Sequence, residues 1–517
     1  MTSARGWRHP IIALLALMTL LMPAPATAQV PREAPPSAGE GGRPARPATA
    51  RLPPDSVTQH SVDLPGRSLP FKAIAGSIPL LDANDGSLQA EVAYIAYLMA
   101  ERSERPRPVT FVFNGGPGAA SAYLHLGAVG PWRLPFDEIT PSASPRLVSN
   151  AQTWLDFSDL VFVDPPGTGY SQITVRGDGP RRQFWSVNGD AEALAVFVRK
   201  WIEKFARQPS PKFLVGESYG GFRAAKIARA LQEGQDVGVR GLVLISPVLD
   251  FGLFGLAAHA PMSWVARLPA MAATAREAKG PFDREALREV EHYAAGEYLR
   301  DLLRGPRDAA AVERMSARVA AFTGLDRDLV RRLAGRVDGE TFAREFYRGQ
   351  GVVASAYDAT VTASDPNPHA ARPRWSDPML SALAAPLTNG MTDLYRRVLG
   401  WHVEDQYRLQ SHEANGRWDW GRGRVGPQAV DDLVRALATD RRLRVLVTHG
   451  ASDLVTPYFG TKLIIDQLPA FAAERLTFAL YGGGHMYYSR DVSRRALRVD
   501  AEALYRAALE ADALLRD

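Results

Sequence analysis

The chain of 517 residues contains no cysteine. Disulfides, thiolate nucleophiles and cysteine-ligated metals are therefore excluded from the start. Beyond the N-terminal segment there is no apolar run long enough to cross a bilayer as a helix. Blocks of like charge are missing too. Sixty-one Lys and Arg, mostly arginine, stand against 56 Asp and Glu, and the resulting +5 is scattered along the chain. Such a balance reads as solvated surface and not as a nucleic-acid footprint. Gly167-Thr168-Gly169, after "VDPP", has neither the lysine nor the spacing of a phosphate loop and reads as a structural turn. No metal-ligand or cofactor constellation is present. What remains is ordinary globular composition, 46% hydrophobic and 23% charged. The length exceeds a usual single core, so two structural units, or one core with a large insertion, are expected.

The first residues read as an address. Arg5 and Arg8 precede "IIALLALMTLLM", and Ala26-Thr27-Ala28 follows as a small-residue cleavage pattern. A signal peptide over 1–28, cut after Ala28, is expected, with a periplasmic or secreted location and no stable membrane insertion after cleavage. Residues 29–55, rich in Pro, Ala, Gly and Arg, lack a hydrophobic period and read as a disordered leader.

From Ser56 the pattern becomes organised. "HSVDL", "FKAIAGSIPL" and "AEVAYIAYLMA" predict an antiparallel meander. Then come compact apolar runs: "VTFVF" (109–113), "LVFVD" (160–164), "FLVGE" (213–217), "LVLIS" (242–246) and "RVLVTHG" (444–450). Runs of this kind suit strands buried on both faces of a parallel sheet. Helical patterns such as "DAEALAVFVRKWIEKFA" lie between them, so the fold class is α/β with crossover helices. Residues 251–436 break the rhythm and read as a largely helical cap inserted between two parts of one core, 56–250 and 437–517.

"FLVGESYGGFRAAKIARAL" (213–231) places Ser218 between Gly216 and Gly220, where a strand ends and a helix begins. One reading is turn chemistry. The other is a nucleophile elbow, in which glycines let the backbone bend sharply and the helix N-terminus favours developing negative charge. A nucleophilic serine needs a base and a group that orients it, here in the order Ser, acid, His. Asp453 in "VLVTHGASDLVTP" and His485 in "RLTFALYGGGHMYYS" both follow strands, in that order. Separately, an Asx turn and a packed histidine explain them equally well. Their joint order and placement favour catalysis. His449 precedes Asp453 at a strand end and ranks below His485. For the oxyanion, the N–H of Tyr219 is one donor. The loop Asn114-Gly115-Gly116-Pro117-Gly118 supplies Gly116 as the second. Trp418 and Trp420 in "GRWDWGRGR" read more readily as packing between cap and core than as a pocket wall.

Taken in order, "NGGPGAAS", "VDPPGTGYS", "GESYGG", "THGASDLVTP" and "YGGGHM" resemble the serine carboxypeptidase family, peptidase family S10, in a divergent bacterial branch. The resemblance implies an α/β-hydrolase fold with an inserted cap and removal of C-terminal residues from peptides. It implies Ser218 as nucleophile, His485 as base and Asp453 as orienter. Asn114, Gly115 and a proton-donating Glu217 would hold the terminal carboxylate. Two departures stand out: Val112 replaces the family's tryptophan, and Ala128 replaces its glutamate. Both usually support the Asn and Glu that bind the carboxylate. The expected function is a secreted carboxypeptidase acting through an acyl-enzyme on peptide substrates, with no cofactor, metal or nucleic acid. The alternatives are an esterase or acyltransferase on the same triad, and an inactive periplasmic binding protein.

Overall fold

The computed structural model describes residues 51–510 except 101–104, 137–139, 143, 145, 256–258, 371–375 and 423–425. The expected signal peptide and all but residues 51–55 of the expected leader lie outside the described residues.

Three strands open the fold: β1 (Ser56–Leu64), β2 (Arg67–Leu81) and β3 (Leu88–Met99), paired antiparallel. This is the expected meander. Then follow β4 (Val109–Phe113), β5 (Asp159–Val163), β6 (Lys212–Glu217), β7 (Gly241–Ile245), β8 (Arg444–Gly450) and β9 (Leu476–Tyr481). Their spatial order is β1-β2-β3-β5-β4-β6-β7-β8-β9. The β3–β5 pair is antiparallel, and every neighbouring pair from β5 onward is parallel.

Every residue of β4, β5 and β7 is buried, as strands covered on both faces require. Alternation divides them between two cores. Phe111 and Phe113 face the layer formed by helices α1 (Val187–Lys204) and α2 (Tyr219–Gly234). Val112 faces the opposite layer, which includes Leu497 and Ala501 of the C-terminal helix Asp491–Glu510.

Between β7 and β8 the chain is mostly helical, beginning with α3 (Pro261–Glu277) and including the long helices Ala309–Thr323 and Pro378–Asp393. One short antiparallel pair, Val352–Ala354 with Thr362–Ser364, interrupts them. At three residues each, these strands are too short to register as apolar runs. A third apolar cluster joins Val265, Leu268 and Val319 to Leu454 and Phe459 just past β8, so the first part of this segment has its own core, whereas Leu383 and Leu387 of Pro378–Asp393 pack into the core on the Val112 face of the sheet. The helix Val430–Thr439 instead packs on α2, where Lys226 and Arg229 hold Asp432 at 2.6 and 2.8 Å.

After β4 the chain crosses to β5 on one side, and after β6 it crosses to β7 on the other. The C-terminal ends of β4 and β6 therefore flank a topological switch point, where the departing loops leave a crevice for a ligand. Phe113 pairs with Gly216, so Asn114 and Glu217 emerge side by side.

Candidate active site

Ser218 sits at the sharpest bend of this crevice. Its φ of 62° and ψ of −124° lie where L-residues with a Cβ are uncommon. The surrounding glycines make the bend possible. A Cβ on Gly216 would meet the Gly220 carbonyl oxygen at 1.9 Å, and one on Gly220 would meet the Phe113 oxygen at 2.5 Å. The Ser218 N–H donates to the Ile245 carbonyl at 2.9 Å, tying the elbow to β7. Helix α2 starts at the next residue, so its unsatisfied N–H groups gather behind the serine.

The loop after β4 lies against the elbow. A Cβ on Gly115 would meet the Glu217 oxygen and the Tyr219 nitrogen, both at 2.7 Å. Among the described residues, no hydrogen bond engages the N–H of Gly116 or of Tyr219. Arg223, fully buried on α2, donates to the Asn114 carbonyl and pairs with Asp190 at 2.6 Å. A buried ion pair thus fixes the position of this loop. Nothing local in the sequence signals it, because its partners lie 33 and 109 residues from Arg223.

His485 and Asp453 meet at the next strand ends. The distance from His485 Nδ1 to Asp453 Oδ2 is 2.7 Å, and both residues are buried. Asp453 also accepts from the N–H groups of Val455 (2.8 Å) and Thr456 (3.0 Å) and from the Thr456 hydroxyl (2.7 Å). Burial pushes its carboxyl up, but the His485 charge and these donors outweigh burial and leave it below the usual carboxylate range. Burial lowers His485, while Asp453 and then Glu217 pull it up, and the net shift is upward. The His485 loop is held from outside the sheet as well. Gly484 N–H donates to Asp358 at 3.0 Å, His485 N–H donates to the Tyr357 carbonyl, and the Tyr357 ring stands edge-on to the imidazole at 5.3 Å. Sequence reasoning missed Thr456, Tyr357 and Asp358.

His449 does not compete. It is fully buried at the end of β8, and burial pushes its imidazole down to about 3, which keeps it neutral. Ser218 and His485 line one cavity of about 660 Å³ together with Asn114, Gly115, Gly116 and Glu217. No hydrogen bond joins the Ser218 hydroxyl to His485. In unliganded hydrolases that bond often tightens only with substrate.

Glu217 is the other unusual group. It is buried, Asn114 Nδ2 donates to its Oε2, and the Tyr488 hydroxyl donates to its Oε1 at 2.8 Å. Burial pushes its carboxyl up to about 7, against the lowering effects of His485, Tyr488 and Asn114. Val112 and Ala128 are buried among apolar groups. Tyr488 therefore takes over a support that those positions do not provide, three residues after His485 in "GGGHMYYS". Asn114 is itself oriented by the Leu124 N–H on its Oδ1 at 3.1 Å.

Trp418 and Trp420 pack around the ring of Tyr219, with centroids at 5.3 and 5.8 Å, and Trp420 also packs on Phe251 at 4.7 Å. They do not line the Ser218 cavity, which favours the packing reading. Gly167 and Gly169 both have positive φ, 87° and 52°, in a turn closed by Thr168 N–H on the Pro165 carbonyl.

A family model described as Serine carboxypeptidase matches residues 66–253. Serine carboxypeptidase-like 2 of Arabidopsis thaliana is 27% identical over 194 residues, covering 36% of this chain and 42% of its own length. Pheromone-processing carboxypeptidase kex1 of Aspergillus clavatus is 31% identical over 187 residues, 34% of this chain and 28% of that protein. The chain thus spans less than half the length of these curated relatives. Among solved structures, Kex1(delta)p, a prohormone-processing carboxypeptidase from Saccharomyces cerevisiae, aligns over 83% of this chain and 90% of its own, with a TM-score of 0.51 at 15% identity. That likeness extends the common fold well beyond the matched segment. Over residues 66–253 the chain is similar to the serine carboxypeptidase family, and its fold is that of the α/β hydrolases.

Proposed function

We propose that this chain is a secreted serine carboxypeptidase that removes C-terminal residues from peptides. The observation that carries this reading is the pairing of a His485–Asp453 hydrogen bond with a buried, protonatable Glu217 in the crevice of Ser218. Ser218 attacks the last peptide carbonyl and His485 Nε2 takes its proton. Asp453 holds the imidazole with Nδ1 protonated and stabilises its cation. The N–H groups of Gly116 and Tyr219 receive the oxyanion. His485 returns the proton to the leaving amine. Water then attacks the acyl-enzyme by the same route.

Glu217, Asn114 and Gly115 hold the terminal carboxylate. An ionised Glu217 would repel it, whereas a protonated one donates a hydrogen bond. Residues 56–250 and 437–517 form the hydrolase core and 251–436 its cap. The leader directs export, with cleavage after Ala28 and release to the periplasm or medium.

An esterase or acyltransferase on the same triad is the second reading, favoured by the apolar Val112 and Ala128. A binding protein without catalysis is the third. A fluorophosphonate probe tests the triad itself: it should label Ser218, and neither Ser218→Ala nor His485→Ala should label. An unmodified Ser218 in the folded wild type would remove the catalytic readings together.

A further inference from the structure

We propose that Arg408 makes this enzyme selective for peptide ends that carry an acidic side chain. The inference rests on the reading of the Ser218 cavity as a peptide site.

The ionisable groups lining that cavity differ in how free they are. Glu217 is buried and held by Asn114 and Tyr488. Asp377 is committed to its own helix terminus. Its Oδ1 accepts from the Ser355 hydroxyl at 2.7 Å and from the N–H groups of Met379 and Leu380, and its Oδ2 accepts from the N–H of Ala356 at 2.8 Å. His485 is paired with Asp453. His412 lies exposed at the rim.

Arg408 differs from all of these. It lines the cavity with its side chain exposed, and among the described residues its guanidinium makes no hydrogen bond and no ion pair. Its backbone is fixed, because its N–H and C=O exchange bonds with Gly169 at 3.0 and 2.8 Å. A permanent charge on a fixed backbone thus lines the reaction crevice without an ion-pair partner among the described residues. Its natural complement is a carboxylate, which a guanidinium takes in a fork of two hydrogen bonds.

The surroundings reinforce this choice. The short helix His412–Gly416 contributes His412 and Asn415 to the catalytic cavity, and just after it Arg417 lines a second cavity of about 480 Å³ with Arg181, Arg182 and Arg422, where Asp419 is the only acid among the described lining residues. Glu413 offsets part of that charge through Arg181 and Arg417, at 3.1 and 3.5 Å. Arginines thus outnumber carboxylates around this second cavity, an arrangement that favours acidic segments over basic ones. The peptide's own terminal carboxylate is already allotted to Glu217 and Asn114, so the carboxylate left for Arg408 belongs to a side chain.

The test is binding to the Ser218→Ala protein, which keeps the cavity without turnover. The probes are short peptides matched except for Asp/Glu, Gln or Lys in the last two positions, each with a free and an amidated terminus. Acidic peptides should bind about tenfold more tightly than their Gln counterparts, the usual scale for one charge-assisted pair. The gain should persist when the terminus is amidated. Arg408→Gln should remove it, and Arg408→Glu should shift the preference to Lys. The inference is overturned if no peptide binds, if acidic and neutral peptides bind equally, or if Arg408→Gln leaves the preference intact. It is overturned equally if Arg408→Gln weakens only peptides with a free terminus, for then Arg408 reads the terminus itself. Acidic selectivity in binding, with no hydrolysis of the same peptides by wild type, would sink the peptidase reading alone.

Discussion

Replacing Glu217 with glutamine separates the proton on this side chain from the rest of the site. Burial lifts its carboxyl to about 7. At pH 6 it is then about nine-tenths protonated and at pH 8 about one-tenth, so this group alone cuts kcat/KM on free peptides about tenfold across that range. His485 acts in the opposite sense. Its pKa is raised, so its neutral, basic form grows as pH rises. Free peptides should therefore show a bell, with the rising limb set by the imidazole and the falling limb by Glu217, each reported as a property of the coupled pair. Esters and amidated peptides lack the terminal carboxylate and should show the rising limb only. Glu217→Gln keeps a donor without a charge, so free peptides should also lose the falling limb. The assay is kcat/KM on matched free and amidated peptides from pH 5 to 9. A falling limb that survives in Glu217→Gln, or appears equally on amidated peptides, would refute the reasoning.

Ser218→Ala and His485→Ala should each lower kcat by about 10⁴-fold or more, with Asp453→Asn somewhat milder, measured as initial rates. Tyr488→Phe removes a bond that lowers Glu217. The falling limb should move up by about one pH unit, seen in the same profiles. Gly484→Ala would place a Cβ 2.0 Å from the Tyr357 oxygen and 2.4 Å from Asp358 Cα. It should displace the His485 loop and cost a few kcal/mol in denaturant unfolding as well as activity. Glu217 also predicts a stability effect independent of catalysis. Its folded pKa exceeds the ordinary 4.5, so the native state binds the extra proton between 4.5 and about 7, and stability falls as pH rises through that window. Relative to wild type, Glu217→Gln should gain up to about 3 kcal/mol at pH 8 over its offset at pH 4, read by thermal or denaturant unfolding at both values.

Local patterns made the sheet legible. Apolar runs such as "VTFVF" and "LVLIS" are buried on both faces, and only a covered parallel sheet tolerates that. The elbow was legible because its constraint is local: glycines at 216 and 220 are needed where a Cβ would strike the neighbouring backbone. The Ser, Asp, His order carried the His485–Asp453 pair for the same reason, since each follows its own strand. The supports were not legible. Tyr488 reaches Glu217 across 271 residues, and the Asn114 carbonyl meets Arg223 across 109. Such contacts depend on which strand ends the topology brings together, and that information is spread over the chain. The exchange of β4 and β5 in the sheet belongs to the same class, because the runs that form them are alike. Arg408 carries no motif and becomes conspicuous only once the other charges around Ser218 are seen to be engaged.

The central claim is that Ser218 releases residues singly from a free C-terminus. Incubating the purified protein with a free-terminus peptide, its amidated twin and a matched ester, and following the products by mass spectrometry, tests it most directly. The account predicts a ladder shortened one residue at a time from the C-terminus, a much slower reaction on the amidated twin, and no ladder with Ser218→Ala. Cleavage within the chain, equal rates on both peptides, or hydrolysis of the ester with both peptides untouched would contradict it.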